Sequence, residues 1–150
     1  MRNKEIVNRV LVTPDKHFPL HDQPAINCLK KSIKIINPDI YVDLGDTGEW
    51  ELFSNHHWRK YDKPPDDLLI PMLDDSVKEV NKGMDQIDKC LDKVGCKERY
   101  FMQGNHEEWL DTYAKKYSRP RFLTQNALRL EERGYEFHPY KKKIPLKIGK

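Results

Sequence analysis

An α/β fold built on a parallel sheet is the class this sequence predicts, and three observations predict it. β-branched runs alternate with stretches of helical period along the first two thirds of the chain. The intervening segments are long enough to be crossover helices. The residues that follow each of the first three runs are rich in Asp, His, Asn and Glu, as expected where chemistry gathers at the carboxyl ends of parallel strands.

The elements follow in order. Ile6 to Val12 is β-branched and bounded by Thr13-Pro14-Asp15, which marks a first strand. Asp22-Gln23-Pro24 opens a helix with a capping residue and a proline in the first turn. Ile26, Leu29, Ile33 and Ile36 form its buried face, and Asn37-Pro38 ends it. Asp39 to Leu44 is a second strand, stopped by Gly45. Residues 45–65 show no period and read as a long loop carrying Trp50, Phe53, His56, His57, Trp58, Arg59 and Tyr61. A long helix follows, capped by Asp66 or Asp67. Ile70, Leu73, Val77, Val80, Met84, Ile87, Leu91 and Val94 keep 3/4 spacing, and Gly95 stands at the C-terminal cap. That spacing would also suit a coiled-coil seam, but the preceding strand–helix–strand favours a packed crossover helix. Glu98 to Gln103 is a third strand, broken by Gly104. Asn105 to Tyr117 and Thr124 to Arg133 read as helices, the second closed by Gly134. Tyr135 to Tyr140 and Ile144 to Ile148 read as two final strands.

Composition narrows the class. At 150 residues the chain is expected to form one domain, 1–150, able to bury a core without disulfides. No apolar run approaches the roughly 20 residues that a bilayer requires, so no membrane partner is expected. Cys28, Cys90 and Cys96 fit neither a CxxC nor a zinc spacing, which favours inert thiols and a reduced, cytoplasmic setting. The formal net charge of +3 hides an asymmetry. Residues 62–92 hold nine acids and four bases, a net of −5, whereas residues 113–150 hold eleven bases and three acids, a net of +8. A basic C-terminal third suits a phosphate-rich partner, nucleic acid included, although a solvated surface explains it equally well.

The chemistry lies after the strands: Asp15-Lys16-His17, then Gly45-Asp46-Thr47-Gly48-Glu49, then Gly104-Asn105-His106-Glu107. Carboxylate oxygen with imidazole nitrogen suits Mn, Fe, Zn or Co better than Ca. Ordinary turn chemistry explains Asp and Asn at such places but not three such clusters in order. For His56 and His57 a solvent-exposed loop is the simpler reading, with substrate contact as the alternative. His21 reads as a surface residue.

These three segments resemble, in order, the D-x-H, G-D-x-x-[DE] and G-N-H-[DE] motifs of the calcineurin-like metallophosphoesterase superfamily. The resemblance implies a β-sandwich of two sheets flanked by helices (α/β/β/α layers). It also implies hydrolysis of a phosphomonoester or phosphodiester with two divalent metal ions. Carried over by position, Asp15 and His17 would ligate the first metal, Asp46 would bridge both, and Asn105 would bind the second. His106 would protonate the leaving alkoxide. Glu49, one methylene longer than the family's usual Asp, would orient His106. The family's later lone His and G-H-x-H motifs have no counterpart here, His138 being the only histidine after His106. The resemblance therefore implies a domain truncated at its C-terminus. A nucleic-acid-binding module and an inactive remnant or partner domain are the alternatives.

Overall fold

Val10-Leu11-Val12, Ile40-Tyr41-Val42 and Tyr100-Phe101-Met102 are branched, aromatic or long apolar runs that favour a pleated, half-buried surface. In the computed structural model, which describes residues 8–140 and 145–148, they lie side by side. Strands β1 (Val10–Thr13), β2 (Ile40–Asp43), β3 (Glu98–Met102) and β4 (Tyr135–His138) form one parallel sheet in the order β1-β2-β3-β4. The helices are α1 (Gln23–Ile36), α2 (His57–Lys60), α3 (Asp66–Lys93), α4 (Asn105–Lys116) and α5 (Thr124–Ala127). Each successive strand is added on the same side of the last, so right-handed crossovers put α1, α3 and α4 on one face of the sheet.

Register decides which side chains meet those helices. Leu11, Tyr41, Arg99 and Tyr135 form one row, and Thr13, Asp43, Phe101 and Phe137 the next. Tyr41, Phe101 and Tyr135 pack with Ile33 of α1, with Leu73, Ile87 and Leu91 of α3, and with Leu110 of α4 in one core. Val10 and Val12 point the other way and are 38% and 47% exposed. Among the described residues there is one sheet, helix-covered on one face; a second sheet is not among them.

The helix boundaries have local causes. Asp22 accepts the Ala25 amide at 2.9 Å, and Asn37, left-handed at φ 49°, closes α1 through its N–H to Ile33. The cap of α3 is Pro65, not Asp66 or Asp67, which occupy the first turn, where their charge favours the helix N-terminus. The loop 45–65 contains α2 and a short 3-10 turn at Glu51–Phe53. The expected helix over 124–133 stops at Ala127. Arg129 turns left-handed (φ 51°), and residues 128–133 continue as turns. Ile6 and Val7 of the first expected strand and Ile144 of the last lie outside the described residues, as does the Lys141–Lys143 run. Residues 145–148 form no strand.

The two blocks of opposite charge face each other. Arg119 pairs with Asp66 at 2.7 Å, Arg121 with Asp74 at 3.0 Å and Arg133 with Asp85 at 2.7 Å. Arg133 also meets the largely buried Asp88, which accepts the Tyr135 hydroxyl at 2.9 Å and lies 3.7 Å from Arg99. Burial raises the Asp88 pKa above its ordinary value, against the opposing pull of Arg133. Three arginines of the basic C-terminal third are thus engaged in holding α3.

Candidate metal centre at the strand ends

The turns after β1 and β2 are zipped together by backbone hydrogen bonds that continue beyond the strands. Asp15 N–H donates to Gly45 O at 3.2 Å, His17 N–H to Asp46 O at 3.0 Å, and Phe18 N–H to Thr47 O at 2.9 Å. This zipper holds Asp15, His17 and Asp46 at φ 46°, 48° and 47°. Left-handed backbone at a non-glycine residue is uncommon, and such conformations cluster at functional sites. Six non-glycine residues adopt it among those described, and three of the six are these expected ligands.

Below the turns lies a buried ion pair. Lys16 Nζ sits 2.9 Å from Asp43 Oδ1, both side chains being almost wholly buried. Asp43 Oδ1 also accepts the Thr47 hydroxyl at 2.8 Å and the Gly45 amide at 3.1 Å. Lys16 therefore turns inward and ties one motif to the other, while Asp15 and His17 on either side of it face outward.

The third motif is joined to the second by Glu107, whose side chain is fully buried. Its Oε2 accepts the amides of Asp46 at 2.8 Å and Gly104 at 3.1 Å. Its Oε1 accepts the amides of Thr47 at 2.9 Å and Gly48 at 3.3 Å, and the Trp50 indole N–H at 3.1 Å. Burial raises the Glu107 pKa, while Trp50 and the backbone amides pull it back. Gly45 (φ 86°) and Gly104 allow this approach: a Cβ on Gly45 would lie 2.3 Å from Gly104 N, and one on Gly104 would lie 2.2 Å from Asp46 Oδ1. Asp46 Oδ1 in turn accepts the His106 amide at 2.9 Å, at the start of α4.

The sequence-predicted residues converge. Ligand atoms of Asp15, His17 and Asp46 lie within 4.8 Å of one another, and so do those of His17, Glu49 and His106. Asp46 and Asn105 both line a cavity of about 590 Å³ that reaches His138. Oxygen and imidazole donors of this kind fit a hard-to-borderline divalent cation. Glu49 differs from expectation in its first partner: its Oε2 accepts from His17 Nδ1 at 3.0 Å, and its Oε1 lies 3.5 Å from His106 Nδ1. A carboxylate bond to Nδ1 leaves His17 Nε2 as the free donor atom, an arrangement that orients metal-binding histidines. His106 Nδ1 is buried without a hydrogen bond, and its ring is held by Trp109, stacked at 4.2 Å and 28°.

His21 bonds Gln23 at 2.9 Å, outside the cluster. His56 is exposed and His57 partly so. Lys16, Asp43, Glu107 and Trp109 are the residues that sequence reasoning passed over. Glu107 stood inside a motif, but only burial reveals its five donors.

The fold and the cluster define an α/β protein with an Asp–His–Asn–Glu constellation on one sheet edge. Compared with known proteins, the chain matches no family model, no curated protein and no solved structure. No helix among the described residues is long and apolar enough to cross a membrane.

Proposed function

We propose that this chain carries the metal-binding part of a phosphoesterase of the calcineurin-like type, hydrolysing a phosphomonoester or phosphodiester. One observation carries the proposal: Asp15, His17, Asp46, Glu49, Asn105 and His106, from three separate motifs, meet at the carboxyl ends of three adjacent parallel strands. The outward-facing Val10 and Val12 are in keeping with a sheet whose second face another layer covers.

Asp15, His17 and Asp46 would hold one divalent cation, and Asp46 with Asn105 a second. When bound, such ions supply Lewis-acid activation of the phosphoryl group and of the attacking water. The chain's own residues set the rest. Glu107 holds the Asp46 turn, so the carboxylate is aimed before any ligand arrives. Glu49 fixes the His17 ring through Nδ1. Its second oxygen lies 3.5 Å from His106 Nδ1, so that an imidazolium at this position would turn one N–H toward Glu49 and have the other to give to the departing alkoxide, returning to neutral imidazole. Trp109 limits rotation of that ring.

The test is Mn²⁺-dependent hydrolysis of an aryl phosphate ester, run beside a Mn²⁺ binding titration. Asp46→Asn is expected to lose both turnover and most of the Mn²⁺ affinity, and His106→Asn turnover alone. Unaltered Mn²⁺ affinity in Asp46→Asn would overturn the assignment.

A further inference from the structure

A second cavity of about 150 Å³ is lined by Ser54, His56, His57, Lys60, Tyr61 and Trp109. Trp109 is shared: its ring stacks on His106, the histidine assigned as proton donor, and the residue also lines this cavity. The cavity and the histidine that would protonate the leaving group are therefore joined through one side chain, Trp109.

The lining has two kinds of chemistry. Its walls are flat. Tyr61 is 61% exposed, with its ring 4.8 Å from that of His57 at 38°. The loop is anchored, because Trp58 donates its indole N–H to Leu52 O at 2.9 Å and packs at 4.5 Å on His57. An exposed tyrosine on an anchored loop adds nothing to the core, but it offers a π-face to a ligand. The cavity's edge is polar, with Lys60, His56 and the Ser54 hydroxyl. The acid of the lining, Glu51, lies 3.5 Å from His57 Nδ1. Flat aromatic walls with hydrogen-bonding groups at the rim suit a heteroaromatic ring bearing ring-nitrogen acceptors. An aliphatic chain would leave the rim unpaired, and a bare phosphate would make no use of the walls.

We propose that this cavity is a nucleobase subsite, so that the ester handled at the strand ends is a nucleotide-type phosphate ester. The substrate class rests on the phosphoesterase proposal; the base-binding cavity does not. Calorimetric titration of the chain with adenosine and with ribose separates the two, because neither compound carries phosphate or needs metal. Adenosine is expected to bind at least tenfold more tightly than ribose. Tyr61→Ala, at an exposed position, should weaken adenosine roughly tenfold, the order of one base–aromatic stack. Lys60→Ala should weaken it less, and Asp46→Asn not at all. Equal affinity for adenosine and ribose, or a preference untouched by Tyr61→Ala, would overturn the subsite. Adenosine 5′-monophosphate and a single-stranded oligodeoxynucleotide are then titrated with Mn²⁺. Tighter binding of the monophosphate assigns a free nucleotide as the source of the base, and tighter binding of the oligonucleotide assigns a strand. Adenosine binding without any Mn²⁺ enhancement of monophosphate affinity would retain the cavity and overturn the phosphoesterase proposal.

Discussion

Replacing Glu107 by glutamine tests the central structural claim, that one buried carboxylate holds the second and third motifs together. The change is almost isosteric, so it leaves no cavity. What changes is hydrogen bonding. Two donors converge on Oε2, the Asp46 and Gly104 amides, and three on Oε1, the Thr47 and Gly48 amides and the Trp50 indole. Whichever way the new amide turns, its NH₂ must face at least two N–H groups and can accept from neither. A buried donor left without an acceptor costs about 1–3 kcal/mol, so two such donors put the loss at about 2–6 kcal/mol. Loss of the charge weakens the remaining bonds as well. Urea unfolding followed by circular dichroism reads the stability, and a Mn²⁺ titration reads the Asp46 turn. Both should fall together. A change below about 0.5 kcal/mol with unaltered Mn²⁺ affinity would refute the claim, since surface-like substitutions stay within that range.

Three further outcomes are expected. Gly45→Ala should destabilise the fold by about 1–2 kcal/mol from left-handed strain alone, with more from the contact on Gly104 N, as read by the urea midpoint. Glu49→Gln should weaken Mn²⁺ binding by roughly 10- to 100-fold, the usual loss when the partner of a ligating histidine is changed; a titration showing no loss would remove Glu49 from the site. Asp88 carries a raised pKa, so above the ordinary carboxyl value of 3.8 the folded chain keeps this proton longer than the unfolded chain does. Its contribution to stability is therefore full at low pH and declines as pH climbs from about 3.8 through the raised value. Urea midpoints of the native chain and of Asp88→Asn across that range should show a steeper decline in the native chain, the remainder in the variant coming from Glu107, whose pKa is also raised.

The strands and the long helices were legible because their signals are local. Ile26 and Ile33 sit about two turns apart on one helical face, Asp22 and Asn37 bracket that helix, and Asp66–Lys93 is a 28-residue amphipathic pattern. The helix expected over 124–133 failed for the opposite reason. Nothing local in Leu128-Arg129-Leu130 forbids a helix, yet Leu128 and Leu130 are both buried in the core, and the chain turns at Arg129 to place them. The candidate ligands were legible as residue types at strand ends. Their left-handed backbone was not, because the bonds that impose it run between segments about thirty residues apart.

The sequence by itself determined the order of strands and helices and the identity of Asp15, His17, Asp46, Glu49, Asn105 and His106 as the residues with chemistry to offer. Periodicity, caps and motif spacing all lie within reach of a few neighbouring residues. Only the tertiary structure decided how those groups are held and where the charge goes. Glu107 reached back across sixty residues to the Asp46 turn, Glu49 took His17 before His106, and the arginines of the C-terminal third closed on the acids of α3. The reason is physical. A carboxylate or guanidinium on an isolated segment is solvated by water, and it acquires a specific partner only when packing removes that water and brings a distant donor within about 3 Å.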